Sequence, residues 1–131
     1  MLTLAVRIPA TLAPGLLLDR MSAALPDIDR AVLRSAVMRC GFPAAVREAF
    51  RRGSRGPRLD QALMSRPWDF DPAAITVPVR LWQGTADAFG ARPLMAWHLA
   101  RTIPQSELHL TSDGHLSILA NHVDAILDSA P

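Results

Sequence analysis

The sequence contains no lysine: all fourteen of its basic residues are arginine. With alanine and proline abundant, this is the residue usage of a GC-rich genome rather than a device for binding. Arginine does not titrate near neutrality, so the pI is high although the net charge is only +2. Cysteine is nearly absent as well. Cys40 alone excludes an internal disulfide and fits a reducing compartment, so a cytoplasmic protein is expected. No apolar run approaches the length of a membrane span, and no membrane partner is expected. Met1 to Leu18 is apolar but lacks a basic start, and Arg7, Pro9 and Pro14 interrupt it, so it does not read as a signal peptide.

Aromatic residues are missing where a nucleic-acid binder needs them. Residues 1–66 carry eleven arginines against five acids, and residues 67–131 three against seven. Only Arg51, Arg52, Arg55 and Arg58 cluster, and no aromatic residue interleaves with them to stack on bases. The cluster reads as a solvated helix end, and no nucleic-acid partner is expected. The histidines offer no metal site either, since His109, His115 and His122 lack ligand spacing.

What is present is globular: half of the 131 residues are apolar and a fifth are charged. The pattern changes near Pro67. Before it the periodicity is helical, which predicts helices over 16–25, from Asp27 or Asp29 to a stop at Gly41, over 44–52 and over 58–65. Asp27 or Asp29 would cap the second helix, and Pro43 would open the third, with Ala45, Val46, Ala49 and Phe50 inward. After Pro67, strands at 79–83 and 107–111 alternate with helices at 93–101 and from 115 or 116 to 127. Leu94, Trp97 and Leu99 are the expected core contacts of the first of these helices. Strand, helix, strand, helix implies a crossover and parallel pairing. Two strands are too few to bury a parallel sheet on both faces, so the unit wants more sheet beside it.

Each strand runs into a loop that carries a reactive side chain. Val79-Arg80-Leu81-Trp82-Gln83 leads to Gly84-Thr85-Ala86-Asp87, and Leu108-His109-Leu110-Thr111 leads to Ser112-Asp113-Gly114-His115. Singly, Asp87 could turn its loop and His115 could be a polar residue near a helix start. Together they supply two members of a nucleophile–His–acid triad, in which the carboxylate fixes the imidazole tautomer and stabilises the imidazolium. Asp113 is nearer to His115 in sequence, but a carboxylate two residues away on one tight loop rarely points at Nδ1, so Asp87 is preferred. His98 and His122 read as helix residues, and His109 as a strand residue facing outward.

In order, strand context and spacing, the pair resembles the closing segment of the α/β-hydrolase family, where the nucleophile precedes the acid and the acid precedes the histidine. Asp87 matches the acid of the family's G-x-x-D loop and His115 the histidine of its G-H loop. Pro67-Trp68-Asp69-Phe70-Asp71 and Ile75-Thr76-Val77-Pro78 are similar to the approach to its penultimate strand. Ile103-Pro104 is similar to the approach to its last strand, and Leu116 to Leu127 to its closing helix. The likeness is close over residues 67–131, whereas helices 1–66 would correspond to the variable cap. It implies an α/β fold: a helical N-terminal half followed by a βαβα unit with two parallel strands, part of a hydrolase fold. It also implies hydrolysis of an ester, amide or similar small substrate, with Asp87 orienting His115 as general base and then general acid.

One requirement is absent. No G-x-S-x-G occurs anywhere in the sequence, and no oxyanion-hole loop can be found. Gly53-Ser54-Arg55-Gly56 has the wrong spacing and no preceding strand. Ser112 and Ser117 flank the histidine, whereas the family's nucleophile comes from another strand. The chain is therefore expected to be inactive alone and to need no cofactor, its serine lying in a further N-terminal part or on another chain. The rival expectation is a non-catalytic binding or assembly module derived from a hydrolase. An unpaired edge at Val79–Gln83 leads one to expect self-association.

Overall fold

A computed structural model of the chain describes residues 14–88 and 91–129. The apolar N-terminal stretch, as far as residue 13, lies outside the described residues. The chain divides into two compact units: one runs to Ala24 and resumes from Leu33 to Pro67, the other comprises Leu25–Val32 and the chain from Trp68. Among the described residues no helix is long and apolar enough to cross a membrane.

The first unit is helical, with α1 (Pro14–Ala23), α3 (Ala36–Phe50) and α4 (Arg55–Met64). Helix α3 packs against α1 and α4, and Leu18 and Leu33 are buried. The short helix α2 (Asp27–Arg34) ends before Ser35, not at Gly41. Ser35 stops it because its hydroxyl accepts a hydrogen bond from the Met38 N–H at 3.3 Å and so opens α3. Gly41 and Pro43, expected to separate two helices, lie inside α3 at the cost of one backbone hydrogen bond. The expected inward face of that helix is also corrected. Val46 and Phe50 are half-buried, Ala45 and Ala49 exposed. Helix α4 begins three residues earlier than expected and admits Pro57 in its first turn, where the missing N–H has no partner to lose.

The second unit is mixed α/β. Strand β1 (Val79–Gly84) pairs in parallel with β2 (Ser106–Thr111), joined by α5 (Pro93–Thr102) and followed by α6 (Ser117–Asp128). A short 3-10 turn, Pro72–Ala74, precedes β1 and is capped by Asp71, which accepts from the Ala73 N–H at 2.9 Å. The register runs from Val79 opposite Ser106 to Gly84 opposite Thr111. Both strands therefore end level, and the loops after them leave side by side.

Among the described residues, Leu25, Ala96, Ile103 and Ile118 are the buried apolar residues of this unit. Leu94 and Trp97, expected in the core, are 77% and 50% exposed. Leu94 borders an open apolar trough of about 780 Å³, which Trp68, Leu81, Trp82, Met95 and Leu99 also line. Three consecutive residues of β1 and none of β2 line it, which puts it on the edge of β1 away from β2. Among the described residues no other strand pairs with that edge.

Candidate active site

The two loops are hydrogen-bonded to each other before any side chain is considered. The Thr85 N–H donates to the Thr111 carbonyl at 2.8 Å and the Ala86 N–H to the Asp113 carbonyl at 2.9 Å. This contact is close enough to dictate a glycine. A Cβ on Gly84 would lie 2.3 Å from the Asp113 oxygen and 2.7 Å from the Gly114 oxygen, both backbone atoms. Gly84 has no positive φ; it is needed for approach, not for conformation.

The loops bring the two sequence-predicted site residues together. Asp87 Oδ2 lies 2.9 Å from His115 Nδ1. The carboxylate side chain is 6% exposed and the imidazole 39%, so a buried acid holds a ring whose edge reaches solvent. An ionised carboxylate only accepts hydrogen bonds, so Nδ1 is the donor and the ring's basic lone pair is on Nε2. The Ala91 N–H reaches the same Asp87 oxygen at 3.5 Å. The Gln83 amide, buried at the end of β1, donates to the carbonyls of Gly84 and Ala91 at 2.8 and 2.9 Å, tying the strand end to the segment beyond the acid.

A third carboxylate supports the histidine loop, and no local sequence signal marks it. Asp29, on α2, is wholly buried. Its Oδ2 accepts from the His115 N–H at 2.8 Å, and its Oδ1 from the Leu116 and Ser117 N–H groups at 3.1 and 2.9 Å. The Ser117 hydroxyl also donates to Oδ1 at 2.9 Å and accepts from the Gly114 N–H at 2.7 Å. Asp29 was expected to cap its own helix; it caps α6 instead, across 88 residues of sequence. Asp27, the other expected cap, is the first residue of α2 and pairs with Arg30.

Asp113 is turned to different work. Its oxygens accept from Asn121 Nδ2 at 2.7 Å and pair with His122 Nε2 at 2.8 Å, which ties the loop to α6. Burial opposes its charge, but hydrogen bonds from Thr111, Asn121 and His122, with the attraction of His122, outweigh burial and hold its carboxyl below the usual value. His109 does not face outward as expected: it is half-buried and stacks on Trp82 with ring centroids 4.3 Å apart. Trp82 also meets His122 at 5.8 Å. His98 is exposed on α5.

All the buried polar side chains among the described residues, Asp29, Gln83, Asp87, Asp113 and Ser117, belong to this one assembly. Burying polar groups is costly unless each is hydrogen-bonded, so their concentration marks the place where the fold invests in geometry rather than apolar packing. Neither Ser117 nor Ser54 is placed as a triad nucleophile. Ser117 is wholly buried with its hydroxyl engaged on both sides, and Ser54 stands at the start of α4 with no strand leading into it.

Comparison with protein-family models, characterised proteins and solved structures found no match for this chain.

Proposed function

We propose that this chain carries the acid–base half of a nucleophile–His–acid catalyst of the α/β-hydrolase kind, acting on an ester, amide or similar small substrate. The observation that supports it is the 2.9 Å pairing of Asp87 with His115 at the level ends of two parallel strands, the edge at which α/β folds assemble their sites. In this reading a serine hydroxyl is brought to His115 Nε2. The ring takes its proton as the oxygen attacks the substrate carbonyl, and Asp87 stabilises the imidazolium that forms. The same proton then passes to the leaving group. Chemistry of this type needs no cofactor.

The nucleophile comes from outside these 131 residues, because no elbow serine stands in the sequence. The coding sequence immediately 5′ of Met1 is the first test, and a G-x-S-x-G there, in frame or frameshifted, is the expected finding. Joined to this chain, that segment should give stoichiometric fluorophosphonate labelling and ester turnover, both lost in His115→Ala. The chain alone should show neither above the His115→Ala background. Labelling of the isolated chain at a single serine would overturn the divided site and identify another nucleophile.

The open trough beside β1 favours a second reading, a non-catalytic assembly module that presents this edge to a partner. Full turnover in the joined protein excludes it.

A further inference from the structure

Asp29 carries an inference about how the histidine is held. Helix α6 begins with Leu116 at its cap position, and that side chain makes no capping hydrogen bond. The first N–H groups of a helix have no intrahelical acceptor, so a buried helix start needs one from elsewhere. Asp29 supplies it. One carboxylate accepts from three consecutive backbone N–H groups and from the Ser117 hydroxyl, and its charge is favoured at the positive end of the helix.

The first of those three N–H groups belongs to His115 itself. The residue before it is held equally tightly. A Cβ on Gly114 would fall 2.3 Å from Asp29 Oδ2, while the φ of Gly114 is one that any residue adopts. Glycine at 114 is thus explained by the closeness of Asp29 and not by a turn. His115 is fixed at two points, its backbone by Asp29 and its ring by Asp87.

We propose that Asp29 is a positioning residue for His115, setting the backbone from which the imidazole reaches Asp87. The segment Leu25–Val32, which clusters with the chain from Trp68 onward and not with the other helices of the N-terminal half, is then a working part of the site. This deepens the proposed function, because it gives that general base its placement. It does not depend on turnover: the ring geometry can be read in the chain as it stands.

The test follows the His115 Nδ1 proton by NMR, assigned by its loss in His115→Ala. In the wild type this proton should resonate downfield, the signature of a short bond to carboxylate. Asp29→Asn replaces one acceptor oxygen with an NH₂ facing N–H donors. It should abolish the downfield His115 signal while the His122 ring signal, set by Asp113, persists and the melt stays cooperative. Asp29→Ala should lose the signal too, and formate should restore it saturably by occupying the vacated carboxylate position, whereas chloride should not. Ser117→Ala, which removes one of the four bonds to Asp29 together with the acceptor of the Gly114 N–H, serves if the Asp29 variants do not fold: the His115 signal should broaden while the His122 signal stays. A His115 signal unchanged in a folded Asp29 variant, or unchanged in Ser117→Ala where only that variant folds, would reduce Asp29 to a helix cap and overturn the proposal. A wild-type chain with no downfield His115 proton would overturn the Asp87–His115 pairing itself, and the positioning role with it.

Discussion

Gly84→Ala is the smallest change that should open the site. The added methyl carbon would stand 2.3 Å from the Asp113 carbonyl oxygen and 2.7 Å from the Asp113 carbonyl carbon and the Gly114 oxygen. All three are backbone atoms, so no rotamer can relieve the contact. The loops must separate by about an ångström to restore ordinary carbon–oxygen contact. That separation breaks the 2.9 Å bond from Ala86 N–H to Asp113 and loosens the 2.8 Å bond from Thr85 N–H to Thr111. Overpacking costs about 1–3 kcal/mol, and a partly buried backbone bond about 1 kcal/mol more. A total near 3 kcal/mol is expected, with loss of the His115–Asp87 contact. Gly41→Ala is the control. It lies inside α3 with nothing within 4 Å of its Cβ position, and should stabilise by about 0.5–1 kcal/mol. Urea unfolding followed by circular dichroism measures both. If Gly84→Ala falls within about 0.5 kcal/mol of wild type, a margin ordinary for surface changes, then the loops are not packed as described.

Two further outcomes follow from charge and from the open edge. The Asp113 carboxyl is held below its unfolded value of 3.8, so its contribution to stability is present above that value. It is lost as pH falls below 3.8 towards the folded pKa. Asp113→Asn should therefore flatten the acid limb of a stability-against-pH curve, and an unchanged limb would contradict the assignment. The trough beside β1 exposes Leu94, Met95 and Trp68 at 77%, 56% and 58%, next to a strand edge with no described partner, an arrangement that templates association. The chain should gain mass with concentration in sedimentation velocity, and Leu94→Lys should shift it towards monomer. A wild-type monomer over a wide concentration range, with a cooperative melt, would refute this.

The strands and their loops are legible in the sequence because their signals are local. An apolar run closed by Gly84 and another closed by Asp113-Gly114 place β1 and β2 within one residue of the observed ends. Pro93 at the first position of α5 marks that helix for the same reason. The two loops that face each other are thus readable from strand order alone. The break between α2 and α3 is not. Gly41 and Pro43 are strong local punctuation, yet the Ser35 hydroxyl decides where α3 starts and the helix runs through both. Leu94 and Trp97 have a core-like spacing, but spacing cannot tell whether a neighbouring layer covers them. Asp29 is the clearest case. Next to Asp27 at a helix start it reads as a cap for its own helix, and its real donors lie 86 to 88 residues away. Only tertiary structure reveals that partnership, and with it the reason for glycine at 114.

The pairing of His115 with Asp87 is the fact on which the proposed chemistry rests, and the His115 Nδ1 proton reports it directly. Its resonance should be downfield in wild type, lost in Asp87→Asn and retained in Asp113→Asn, since Asp113 is engaged with Asn121 and His122. A downfield signal that survives Asp87→Asn but disappears in Asp113→Asn would assign the histidine to the wrong carboxylate and contradict the site.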